Sequence, residues 1–153
     1  MTDERRNRDE NVDAPNELSR RDFMTMSVAA GLVVAGGTLP TAAVPNRIGA
    51  GASFHGGGLV TNNPNSPHLL APKIKARMYF GIASNDDKNQ PDAKDKLREA
   101  FAAAKVPAEI EVYGSLHGWC VKDMPNATPP IYNEADAEKA WAKLVALYKM
   151  ALV

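Results

Sequence analysis

Three short apolar runs, held apart by proline- and glycine-rich punctuation, limit what this chain can fold into. They are Ile48 to Phe54 (IGAGASF), Arg77 to Ala83 (RMYFGIA) and Ala108 to Tyr113 (AEIEVY). Each has the length of a strand, and the third alternates polar and apolar residues so that Ile110 and Val112 share a face. Between the second and third, Pro91 opens a helix with Asp92 in its acidic first turn. Its apolar positions Leu97, Ala100, Phe101 and Ala104 recur at helical spacing, and Val106-Pro107 ends it. A last helix is capped by Asn133 with Asp136 three residues on, and Ala137, Trp141, Leu144, Val145 and Tyr148 form its buried stripe. The stretch from His55-Gly-Gly-Gly58 to Pro72 is rich in Asn, Pro and Ser and reads as a long surface loop. Strands this far apart need crossovers rather than hairpins, so the expected fold class is α/β with a parallel sheet of about three strands and flanking helices.

Ligands of such sheets gather beyond the carboxyl ends of the strands. Asp86 and Asp87, in Ser84-Asn-Asp-Asp87, follow the second strand, and His117, in Gly114-Ser-Leu-His-Gly-Trp-Cys120, follows the third. A carboxylate after one strand and a histidine after the next form the second half of a nucleophile, acid, base order. The carboxylate fixes the imidazole tautomer and stabilises the imidazolium formed when the histidine takes the nucleophile's proton. Asp86 and His117 are therefore the candidate acid and base. A nucleophile elbow should precede them, yet no Gly-x-Ser-x-Gly or Gly-x-Cys-x-Gly run exists. The nearest approach, Gly51-Ala-Ser-Phe-His55, leads into a glycine-rich loop instead of a helix, and Ser53 reads as a buried strand residue. Cys120 stands three residues after His117, but beside Trp119 a free cysteine reads as a small packed apolar residue. His55, His68 and His117 have no carboxylate or cysteine at ligand spacing, so no metal centre is expected.

Eighteen Lys plus Arg balance eighteen Asp plus Glu, which leaves no net field to attract nucleic acid. A single cysteine closes no intrachain disulfide. Residues 1–43 read as an exported leader. A polar, disordered start to Glu17 precedes Ser19-Arg-Arg-Asp-Phe23, then an uncharged, glycine-bearing run from Met24, then Thr41-Ala-Ala43 for cleavage. The run from Met24 to Leu39 is too short for a stable membrane span. The pattern resembles a twin-arginine leader, which implies a periplasmic or secreted protein.

Several motifs in series carry a wider resemblance. They are Gly51 to Leu59 (GASFHGGGL), Ser66 to Pro72 (SPHLLAP), Asn85-Asp86-Asp87 with Pro91, Pro107 to Tyr113 (PAEIEVY), His117-Gly-Trp and the Tyr132-Asn133 helix. Together, residues 44–153 resemble the carboxyl-terminal half of the dienelactone hydrolase family, the carboxymethylenebutenolidase-like branch of the α/β-hydrolases. The resemblance implies a cofactor-free enzyme with a Cys, Asp, His triad that hydrolyses enol lactones and related carboxylic esters. Asp86 matches the triad acid and His117 the triad base. Cys120 does not stand at the nucleophile position, which belongs to an elbow before a helix whose tail is Thr41 to Asn46. The expectation is thus a partial α/β-hydrolase fold lacking its first half, its nucleophile and its oxyanion donors, and inactive alone. It would take a small lactone or ester only if completed by that half, and its first strand would offer an open edge for self-association. The competing reading is a non-catalytic exported binding or interaction protein derived from the same fold.

Overall fold

The computed structural model of the protein describes residues 38–55, 58–122 and 131–151. The Ser19-Arg20-Arg21 motif, most of the apolar run after it, Gly56-Gly57 and residues 123–130 lie outside the described residues. The chain divides into units 1–33 and 34–153, and everything described belongs to the second. Its elements run α1 (Thr38–Ala43), β1 (Ala50–Phe54), a 3-10 helix (Pro67–Lys73), β2 (Arg77–Ile82), α2 (Ser84–Asn89), α3 (Ala93–Ala103), β3 (Ala108–Val112) and α4 (Glu134–Ala151). The strands form one parallel sheet in the order β1-β2-β3, with Ala52 opposite Tyr79 and Tyr79 opposite Glu109. No helix among the described residues is long and apolar enough to cross a membrane.

Strand β2 is buried from Met78 to Ile82 because both faces of the sheet are covered. Met78, Phe80 and Ile82 point to one side, where Leu97 and Phe101 of α3 join Ala71, Ile74 and Val106. Tyr79 points to the other, where Ala140 and Leu147 of α4 meet Tyr113 and Trp119. Each large apolar side chain so buried contributes about 1.5–3 kcal/mol. Gly81 lies on this second face, where a Cβ would come within 3.0 Å of the Phe54 ring and 3.1 Å of the Tyr113 ring. Tyr79 donates to Glu111 Oε2 at 2.9 Å and shares a 2.7 Å bond with Tyr113 Oη. Lys139 and Lys143 of α4 reach back to Glu111 and Glu109, so the helix is tied to β3 by charge as well as by its apolar face.

Three local expectations shift. Helix α3 stops before Pro107. Lys105 sits in the left-handed region at φ 56°, and its N–H donates to Ala102 O while that of Val106 donates to Phe101 O. This is a Schellman motif built on lysine instead of glycine, with Val106 folded into the core. The stretch 58–72 is not a simple surface loop, because Leu59, Val60, Ser66 and Ala71 are buried and its end winds into the 3-10 helix. Asn133 Oδ1 does cap α4 by accepting the Asp136 N–H at 3.0 Å. The buried stripe of that helix is nevertheless Ala137, Ala140, Leu144 and Leu147, with Trp141, Val145 and Tyr148 half-buried beside it.

Candidate active site

The carboxyl ends of all three strands contribute to one cluster: His55 directly after β1, Asn85 and Asp86 in α2 after β2, and Ser115 to Cys120 after β3. The second and third connections are joined by backbone. Ser84 N–H and Ser84 Oγ both donate to Ser115 O, at 2.9 and 3.1 Å, and His117 N–H donates to Asn85 Oδ1 at 2.8 Å. Asp86 Oδ2 lies 2.7 Å from His117 Nδ1. An ionised carboxylate only accepts, so the proton is on Nδ1 and the lone pair of Nε2 is left for a reacting proton. The His117 side chain keeps 49% of its surface in solvent. Asp87, beside the pair, holds Lys94 Nζ at 2.7 Å.

The second histidine of the cluster is His55, which the family resemblance sets in a loop near the pocket without a part in the triad. His55 follows β1 at φ 60°, a left-handed conformation uncommon for a residue with a side chain. Its ring lies 5.1 Å from that of His117 and edge-on to Trp119 at 4.1 Å. Gly118 N–H donates to its Nδ1 at 3.1 Å, and its Nε2 lies 2.9 Å from Cys120 Sγ. Because Nδ1 accepts, the neutral ring carries its proton on Nε2 and donates to sulfur. That tautomer leaves no lone pair for the thiol proton, so His55 and Cys120 are not a base and a nucleophile. Burial also pushes the Cys120 thiol up, away from the thiolate. Ser53 is buried within β1, and His68 Nδ1 is bonded to Ser66 Oγ at 2.7 Å. The one signal available in the sequence was position: His55 ends a strand at the same edge of the sheet as the other two.

Burial and the neighbouring His117 depress His55 to about 4, against the opposing pull of Asp86. The unfolded chain would bind the proton at the ordinary 6.5, so between pH 6.5 and 4 it holds more protons than the folded one. The stabilising effect of a neutral His55 is complete above pH 6.5 and is lost as pH falls through 4. After discounting for partial exposure it is on the order of 1–2 kcal/mol. Urea unfolding of the wild type and His55→Asn at pH 7 and pH 4.5 isolates it: the wild type should lose that much more stability than the variant. Equal losses would remove the assignment.

A cleft of about 190 Å³ lies beside Asp86, lined by Leu59, Ile82, Asn89, Gln90, Ala93 and Leu97. It is smaller than the usual ligand pocket of at least about 300 Å³. Asp86 is part of its lining and His117 is not.

The model of the dienelactone hydrolase family matches residues 30–152. A solved structure from Klebsiella pneumoniae subsp. pneumoniae MGH 78578, provisionally described as a dienelactone hydrolase, aligns with a TM-score of 0.61 at 23% identity. The alignment covers 74% of this chain and 46% of that one, so this chain spans less than half the length of the structure it resembles. At that identity the likeness establishes the fold. Curated proteins gave no match.

Proposed function

The chain belongs to the dienelactone hydrolase family, and we propose that it supplies the acid and the base of that family's hydrolytic triad. The substrates are enol lactones or related carboxylic esters, and no cofactor takes part. The observation that carries this reading is the 2.7 Å bond from His117 Nδ1 to Asp86 Oδ2 at the carboxyl ends of two adjacent parallel strands. In the proposed reaction Nε2 of His117 takes the proton of a cysteine nucleophile, which attacks the ester carbonyl. Asp86 stabilises the imidazolium, and His117 then returns the proton to the departing enolate or alkoxide oxygen. Water, activated by the same nitrogen, cleaves the acyl-enzyme.

The nucleophile is the open term. Cys120 is bonded to His55 rather than to His117, and no elbow motif occurs in the sequence. The proposal is therefore that these residues turn over no substrate by themselves and act with a polypeptide bearing the elbow and the oxyanion donors. Turnover of dienelactone and nitrophenyl esters tests it, measured on the chain alone and after mixing with the first half of an intact family member. Background rates alone and hydrolysis on mixing are expected. Turnover by the chain alone, lost in both Cys120→Ser and His117→Ala, would show instead that Cys120 is the nucleophile.

Export through the twin-arginine pathway belongs to the same proposal, on the strength of Ser19-Arg20-Arg21 and the glycine-bearing run behind it. The double substitution Arg20→Lys, Arg21→Lys should keep the protein in the cytoplasm without lowering its expression. Undiminished periplasmic delivery of the double variant would end this part of the reading.

A further inference from the structure

His55 is the least expected member of the cluster, and three of its features belong together. It holds a left-handed backbone conformation that is uncommon for a residue with a side chain. Its ring is packed edge-on against Trp119, whose own side chain is fully buried and stacked on Tyr113 at 4.6 Å. Its Nδ1 accepts the N–H of Gly118, the residue next to His117, whose φ of 102° is open only to glycine. The two peptide units that flank the His117 Cα are thus each held by a side chain, the Leu116–His117 unit by Asn85 Oδ1 on the His117 N–H and the His117–Gly118 unit by His55 Nδ1 on the Gly118 N–H. With the backbone held on either side, the direction in which the His117 Cβ leaves the chain is set, and from there the ring reaches Asp86.

We propose that His55 is a positioning residue for the base. It acts as a neutral acceptor toward Gly118 N–H and so holds His117 in the orientation that bonds Asp86. The proposal rests on the reading of His117 as the triad base. Its bond to Cys120 is then secondary: the sulfur occupies the proton of Nε2 and thereby keeps Nδ1 free to accept.

Two substitutions separate the two ring nitrogens. In His55→Asn the amide oxygen stands where Nδ1 was, the bond to Cys120 is lost, and asparagine tolerates the left-handed backbone. In His55→Gln the amide reaches the Nε2 position and the acceptor for Gly118 is lost. The full chain labelled with ¹⁵N is studied by amide hydrogen exchange and by imidazole nitrogen shifts. Wild type should show an unprotonated Nδ1 on His55 and a protonated Nδ1 on His117. His55→Asn should retain Gly118 protection and the His117 signals. His55→Gln should speed Gly118 exchange about tenfold, the equivalent of one lost hydrogen bond, and mix the His117 tautomers. In the mixed enzyme His55→Gln should lower kcat at unchanged KM, and His55→Asn should restore it.

A wild-type His55 protonated on Nδ1 overturns the proposal without any variant, whether or not the glutamine chain folds. So does a His55→Gln chain with wild-type exchange and tautomers. If these spectra come out as expected and no mixture hydrolyses ester, it is the proposed activity that fails, while the hold of His55 on the His117 peptide stands.

Discussion

Trp119→Ala is expected to remove a large share of the stability of the folded unit. The side chain is fully buried, lies stacked on Tyr113 at 4.6 Å and 20°, and meets His55 edge-on at 4.1 Å. Truncating a buried tryptophan costs about 3–5 kcal/mol, from lost transfer free energy and the cavity left behind. Against a typical total of about 5–15 kcal/mol, that should lower the melting temperature by roughly 10–25 °C. Trp119→Phe should behave very differently. Among the described residues Nε1 of Trp119 has no hydrogen-bond partner, a buried donor left unsatisfied at a cost of about 1–3 kcal/mol. Phenylalanine gives up part of the packing but also removes that donor, so the variant should lie within about 1 kcal/mol of wild type. Urea unfolding followed by near-ultraviolet circular dichroism measures both. An alanine variant with the wild-type midpoint, or a phenylalanine variant as weak as alanine, would show that Trp119 is not the keystone of this face.

The strands were legible because their signal is continuous. Met78 to Ile82 is apolar at every position, as a central parallel strand covered on both faces must be, and Glu109 and Glu111 alternate with Ile110 as an edge strand requires. The stretch after β1 was misread for a different reason. Asn62, Asn63, Pro64 and Asn65 announce turns of the backbone, and turn chemistry is silent about whether Leu59 and Val60 on their flank find a core. In α4 the large residues Trp141 and Tyr148 suggested the inward face, whereas Ala140 takes it. A small residue lets the helix approach the sheet, and a count of apolar volume along the helix does not see that. At the site, Asp86 and His117 could be found from order along the chain because each follows a strand. The bond from Gly118 to His55 spans 63 residues and joins a backbone N–H to a ring, a pairing that no local pattern encodes.

Within the proposed triad, Asp86→Asn and His117→Ala should fail for different reasons and to different degrees. Removing the imidazole takes away the base itself, so turnover in the mixed enzyme should fall by about 10⁶-fold. Asp86→Asn leaves the ring in place but changes which nitrogen carries the proton. The carboxylate can only accept from Nδ1, while the amide can turn its NH₂ toward the ring and donate. His117 would then be protonated on Nε2, the nitrogen the nucleophile's proton must reach, and turnover should drop by about 10⁴-fold. The chain already contains a histidine in that second state. His55 Nδ1 accepts from Gly118 and its Nε2 faces the Cys120 sulfur without serving as its base, so Asp86→Asn should make His117 resemble His55. Imidazole ¹⁵N shifts of the variant test this apart from catalysis, because a proton should move from Nδ1 to Nε2 of His117 while the His55 shifts stay fixed. If activity falls in Asp86→Asn with the His117 tautomer unchanged, the carboxylate acts by charge alone. If neither activity nor tautomer changes, Asp86 is not the acid of the triad.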